Sequence, residues 1–264
     1  MESEVPDAVV LDIASSSHAG DIFTYVMAAV YIATAAIYTI INISANTSKV
    51  PRSKIQDVLQ DNAIVLGLTS ILYVLLAAGL PPWIRWPFYA VCSTLLFDGL
   101  HLVTTRRSYT PDGINSLFYD SSAYRLGLIL TPFIMLTGLI GHFVTLAVAI
   151  VVFVFGTLAL AALFYTTYRS IAMAPQQRVS DALIAGYVVL ALPWLVYPII
   201  YALSPVIGNV IDFSMAQIGY LSLDIISKFL FGILLLVGAT QAEPQLAYRF
   251  GLRQSIPQKR YMRV

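Results

Sequence analysis

Seven stretches of this chain are apolar over close to the ~20 residues a helix needs to cross the hydrocarbon core of a bilayer, and that repetition constrains its fold more than any other feature. They are Ile22–Ile43, Asn62–Trp83, Trp86–Leu102, Leu126–Gly141, Phe143–Tyr168, Ala182–Leu203 and Phe213–Gln241. In lipid every backbone N–H and C=O must be satisfied within its own segment, so such stretches are helices rather than open strands. The expected fold is all-α, a bundle of seven transmembrane helices. Composition agrees: 11% of the 264 residues are charged and 58% are hydrophobic, where a soluble domain carries about 25% charged residues. A net charge of +1 provides no bulk field for nucleic acid. Residues 1–264 read as a single domain, with a short acidic segment 1–20 that lacks the basic start of a signal peptide and a basic tail 242–264. The one cysteine, Cys92, lies in an apolar run and reads as a small buried hydrophobe.

The basic residues orient the bundle. Lys49, Arg52 and Lys54 lie between spans one and two, Arg106, Arg107 and Arg125 between three and four, and Arg169 and Arg178 between five and six. Arg249, Arg253, Lys259, Arg260 and Arg263 follow span seven. With seven spans all of these fall on one side, against Arg85 alone on the other. The expectation is a multi-pass protein of the cell membrane, N-terminus outside and C-terminus in the cytoplasm. The tail could also meet anionic headgroups, although ordinary positive-inside bias is the better explanation of it.

Three ionisable side chains sit deep within spans: Asp98, Asp224 and Lys228. Each costs at least ~2.5 kcal/mol to place there, so a functional role is the default expectation. Asp224 and Lys228 are four residues apart, one turn along the same helix face. A desolvated lysine is a good amine nucleophile toward an aldehyde, and the cation it forms needs a carboxylate beside it. The alternative is a purely structural ion pair.

Around this pair the sequence resembles the microbial (type 1) rhodopsins. Leu223-Asp224-Ile225-Ile226-Ser227-Lys228-Phe229 followed by Gly232 is similar to the family's retinal-lysine segment. Trp194-Leu195-Val196-Tyr197-Pro198, with Tyr201 one turn on, resembles its W-x-x-Y-P segment. Tyr73 and Gly138 stand where the family has a pocket tyrosine and a glycine beside the ionone ring. The resemblance implies all-trans retinal as cofactor, bound to Lys228 as a Schiff base, with Trp194, Tyr197, Pro198, Tyr201, Tyr73 and Gly138 around it. Each of these also has a plainer reading as bundle packing.

The third span departs from the family pattern. Aligning Phe88-Tyr89-Ala90 with the segment before the family arginine puts Val91 in the arginine's place, Thr94 at the usual acceptor Asp, Leu95 at the pocket Trp and Asp98 one turn further. The cytoplasmic donor position then falls on Thr105. In this alignment Asp98 becomes counterion and proton acceptor, about 6 Å along the helix from Thr94, and His101, which can titrate near neutral pH, lies one turn beyond it. The plainer role for His101 is a helix-end residue bonded to a neighbour or headgroup. A rival alignment places Arg85 at the arginine and Phe88 at the acceptor. Against it, Tyr73 and Arg85 are only twelve positions apart, too few to finish one span and enter the next.

Light-driven proton translocation through Asp98, inward if Asp98 takes the proton on the cytoplasmic side, is the first functional expectation. A photosensor acting on a separate transducer is the second. A light-driven anion pump or a light-gated channel follows. A non-photoactive membrane protein is the alternative outside this class, and Lys228 argues against it. No enzymatic activity is expected, and no kinase, cyclase or transducer domain is expected in residues 242–264. The resemblance also implies a lipid-embedded homo-oligomer, trimer or pentamer.

Overall fold

The computed structural model describes residues 18–46, 53–104, 122–172 and 181–242. Their helices are α1 His18–Asn46, α2 Lys54–Ala77, α3 Arg85–Thr104, α4 Ser122–Gly141, α5 Leu146–Ala172, α6 Asp181–Leu203, α7 Phe213–Asp224 and α8 Phe231–Ala242. A π turn over Ile225–Leu230 joins α7 to α8 without a break, so the two form one seventh rod. The chain is thus an all-α bundle of seven rods. Five of them are long and apolar enough to cross a membrane, and Arg125–Gly141 is a shorter apolar helix. The third has the length, but Arg85, Asp98 and His101 dilute its apolar character.

Neighbours in sequence pack side by side, and the seventh rod touches α1, α2, α3 and α6, which closes the bundle around it. The outer faces carry large exposed apolar residues such as Ile32, Ile40, Ile129, Phe155, Leu158 and Leu192, the surface expected of a multi-pass protein whose solvent is lipid.

The second span differs from the sequence expectation. Ser53 starts α2 as its N-cap, with a capping box in which the Ser53 hydroxyl accepts from Gln56 N and the Gln56 side chain accepts from Ser53 N. The helix therefore begins eight residues before Asn62 and ends at Ala77. The chain then reverses through Gly79, whose φ of +87° is the left-handed conformation that suits glycine. A single 3-10 turn, Pro82–Ile84, leads straight into α3 at Arg85. The turn between α4 and α5 is as short as expected and contains His142.

Candidate functional site

The seventh rod builds the site. Asp224 closes α7 and Lys228 lies in the π turn, a local widening often found at functional sites. Lys228 Nζ stands 2.8 Å from Asp224 Oδ1, and both side chains are buried. Three phenols from three other helices converge on the same carboxylate. Tyr73 of α2 and Tyr89 of α3 donate to Oδ2, Tyr89 at 2.9 Å, while Tyr197 of α6 donates to Oδ1. Tyr197 also lies 3.3 Å from the Ser227 hydroxyl. Three phenol donors and the Lys228 nitrogen thus converge on one carboxylate.

Lys228 is less well served. Its one oppositely charged partner among the described residues is Asp224. Its other neighbour is the face of Tyr89, 4.0 Å from Nζ to the ring centroid, a cation–π contact. Nζ borders a cavity with about 750 Å³ of space free of atoms, open surroundings included. Trp194, Tyr197, Pro198 and Tyr201 of α6 line it, as do Ile134, Met135 and Gly138 of α4, Phe153 and Leu160 of α5, and Tyr89, Ser93 and Leu96 of α3. A Cβ on Gly138 would come within 2.6 Å of the Trp86 ring, so only glycine lets that indole lie against α4.

Of the residues singled out from sequence, Lys228, Asp224, Trp194, Tyr197, Pro198, Tyr201 and Gly138 all border the cavity. Tyr73 stands behind it, on Asp224. On the third helix the structure brings other residues to the cavity than those singled out. Tyr89, Ser93 and Leu96, at spacings of four and three residues, form the face of α3 toward the cavity. Asp98 is nine residues past Tyr89, about 13.5 Å along the axis and half a turn round it. It does not contact Lys228 and does not line the cavity. Thr94 bonds the Ala90 carbonyl at 2.7 Å on another face, and Leu95 packs into the general core. His101 is buried in the last turn of α3, away from the cavity lining. Thr105 lies outside the described residues.

Arg85 opens α3, is 4% exposed, and stacks over Tyr220 at 4.2 Å; Tyr220 in turn stacks on Tyr197. Twelve positions suffice because α2 ends one turn after Tyr73. The residues missed from sequence are Tyr89, Ser93 and Leu96. Their i, i+4, i+7 spacing was visible, but in an apolar helix nothing local says which face looks inward.

His142, in the α4–α5 turn, has its pKa lowered to about 4 from 6.5, first by burial and then by Arg85. A histidine that is harder to protonate folded than unfolded contributes stability above pH 6.5, which is lost as pH falls toward 4. Thermal melts across that window are therefore expected to fall more steeply for the wild type than for His142→Gln.

Residues 113–242 match a family model described as bacteriorhodopsin-like protein. Among solved structures the chain is similar to the proton pumping rhodopsin AR2 from the marine alga Acetabularia acetabulum, with a TM-score of 0.70 and 17% identity over 88% of this chain and 97% of that one. It is similar to the thermophilic rhodopsin from Rubrobacter xylanophilus, with a TM-score of 0.69 and 17% identity over 84% and 97%. Halorhodopsin, a light-driven chloride pump, shares the fold with a TM-score of 0.64 and 14% identity over 84% and 96%. No curated protein matches the chain.

Proposed function

We propose that the chain is a microbial rhodopsin, a light-responsive membrane protein that carries all-trans retinal on Lys228. The observation that carries this reading is the buried Lys228 amine, paired with Asp224 at 2.8 Å, at the edge of a largely apolar cavity. An amine of that kind suits a long apolar aldehyde. When bound, retinal supplies the absorption of visible light and the isomerisation that follows. Trp194, Tyr197, Pro198 and Gly138 shape the space it would take.

Lys228 holds the aldehyde end and, as a cation, sits against Asp224 and the Tyr89 ring. Tyr73, Tyr89 and Tyr197 fix the carboxylate in place. Asp224 is the only carboxylate lining the cavity among the described residues. A proton leaving Lys228 therefore has Asp224 as its nearest acceptor, on the same rod, and α3 offers Tyr89 and Ser93 where a second acid would carry it onward. That arrangement favours photosensing through a shape change, with a separate partner, over proton transport. Positive-inside bias still argues for an outside N-terminus in the cell membrane.

Adding all-trans retinal to the purified protein should produce a visible band that bleaches with hydroxylamine. Absence of a band would remove the retinal reading. Illuminated vesicles should show no sustained pH change beyond a brief transient. Sustained alkalinisation or acidification outside, collapsed by a protonophore, would replace the sensor with a pump.

A further inference from the structure

The seventh rod leaves α-helical geometry where it carries Lys228. The π turn Ile225–Leu230 closes when Phe231 N–H reaches the Ile226 carbonyl, five residues back. The next residue, Gly232, gives its carbonyl to the Asn62 side chain of α2, whose Nδ2 donates at 3.0 Å. Asn62 is 2% exposed, so this bond lies inside the bundle. We propose that Asn62 is a positioning residue: its bond to Gly232 pins the far end of the π turn and so keeps Lys228 opposite Asp224.

Register is the first argument. A π turn holds one residue more than the α-helical turn it replaces, and one residue is about 100° of rotation. Relaxing the turn to α-helical winding would swing one end of the rod by that angle against the other, unless both ends are held. Both are held, and by the same helix. Tyr73 of α2 bonds Asp224, four residues before Lys228, and Asn62 bonds Gly232, four residues after it. Tyr73 and Asn62 are eleven positions apart, about three turns, and so lie on one face of α2. That face brackets the lysine from both sides.

Fit is the second argument. Gly232 lets the amide approach: a Cβ there would stand 3.1 Å from Asn62 Cγ and Oδ1 and 3.2 Å from Nδ2, closer than side chains ordinarily pack. Two further close contacts on this stretch are apolar. A Cβ on Gly99 of α3 would meet Leu235 Cδ2 at 2.8 Å, and one on Gly186 of α6 would lie 3.6 Å from the Phe231 ring. Apolar contact holds the rod close without fixing its rotation, whereas a hydrogen bond has a direction. A buried amide is costly unless it is bonded, and the bond Asn62 makes is to the residue that follows the π turn.

The pinning itself needs no retinal, so the first test is amide hydrogen exchange in the full-length, retinal-free protein in detergent. Residues 225–232 should exchange about fivefold faster in Asn62→Ala, the scale of one net hydrogen bond, while residues 213–224, held through Asp224, stay unchanged. Gly232→Ala should also speed exchange there, because a displaced buried amide costs more than alanine gains in helix propensity. In the Asn62→Ala background the same substitution should slow it or leave it unchanged, since the shortened side chain makes room for the methyl. Should Asn62→Ala not fold, Gly232→Ala alone carries the test. The second test rests on the retinal reading above: hydroxylamine in the dark should bleach the visible band of Asn62→Ala about fivefold faster than wild type, on the same hydrogen-bond scale. Unchanged exchange at 225–232, a rise spread evenly over all seven rods, or the same response to Gly232→Ala in both backgrounds would overturn the proposal. Faster exchange with unchanged bleaching would overturn the part of it that concerns Lys228. A wild type without a visible band would remove the retinal reading and leave the exchange to decide the pinning.

Discussion

Replacing Lys228 with Ala is expected to abolish the visible band completely. Among the described residues Lys228 is the only lysine or arginine lining the large cavity, so none of them offers a second amine to the aldehyde. Alanine leaves the space open, and retinal can still enter it, but without a covalent bond to the protein. The absorption of such a preparation should be that of free retinal. The same substitution leaves Asp224 buried with phenol donors and no cation. Breaking a buried pair costs on the order of 3–5 kcal/mol, so a lower melting point for the retinal-free protein should accompany the lost colour. A visible band that persists in Lys228→Ala would mean that another group carries the chromophore.

The second large effect separates Asp224 from Asp98. In Asp224→Asn the cation on Lys228 loses its ion-pair partner and keeps only the Tyr89 ring. At roughly 3–5 kcal/mol for a broken buried pair and 1.36 kcal/mol per tenfold, the balance should move a hundredfold or more toward the uncharged linkage. At neutral pH the pigment should then absorb in the near ultraviolet and recover its visible band only in acid. Asp98→Asn should leave the band in place, because Asp98 faces away from the cavity. Absorption spectra of both variants across pH decide the matter. A band that moves in Asp98→Asn and stays in Asp224→Asn would return the counterion role to Asp98 and overturn the site described above.

The contrast between these two acids shows which parts of the site could be read from residues alone. Asp224 and Lys228 are four positions apart on one helix, and that spacing brings them together whatever surrounds the helix. Trp194, Tyr197, Pro198 and Tyr201 belong to one segment, so a single motif placed them all. Tyr89 is different. Its role depends on where α2 stops, how tightly the chain turns at Gly79, and how α3 is rotated about its axis. Arg85 follows the same logic, since the short turn through Pro82–Ile84 lets α3 begin directly at the arginine.

Hydropathy and length by themselves determined the all-α membrane bundle, because lipid leaves the backbone no other way to satisfy its polar groups across a span. The local i, i+4 geometry determined the Asp224–Lys228 pair. Only the tertiary structure decided which third-helix residues meet that pair. Rotating an apolar helix in lipid costs little on its outer face, so the register of α3 is set by contacts with its neighbours rather than by any pattern along its own sequence. Those contacts put Tyr89 against the lysine, Asp98 on the far side of the helix, and Arg85 over the Tyr220 ring.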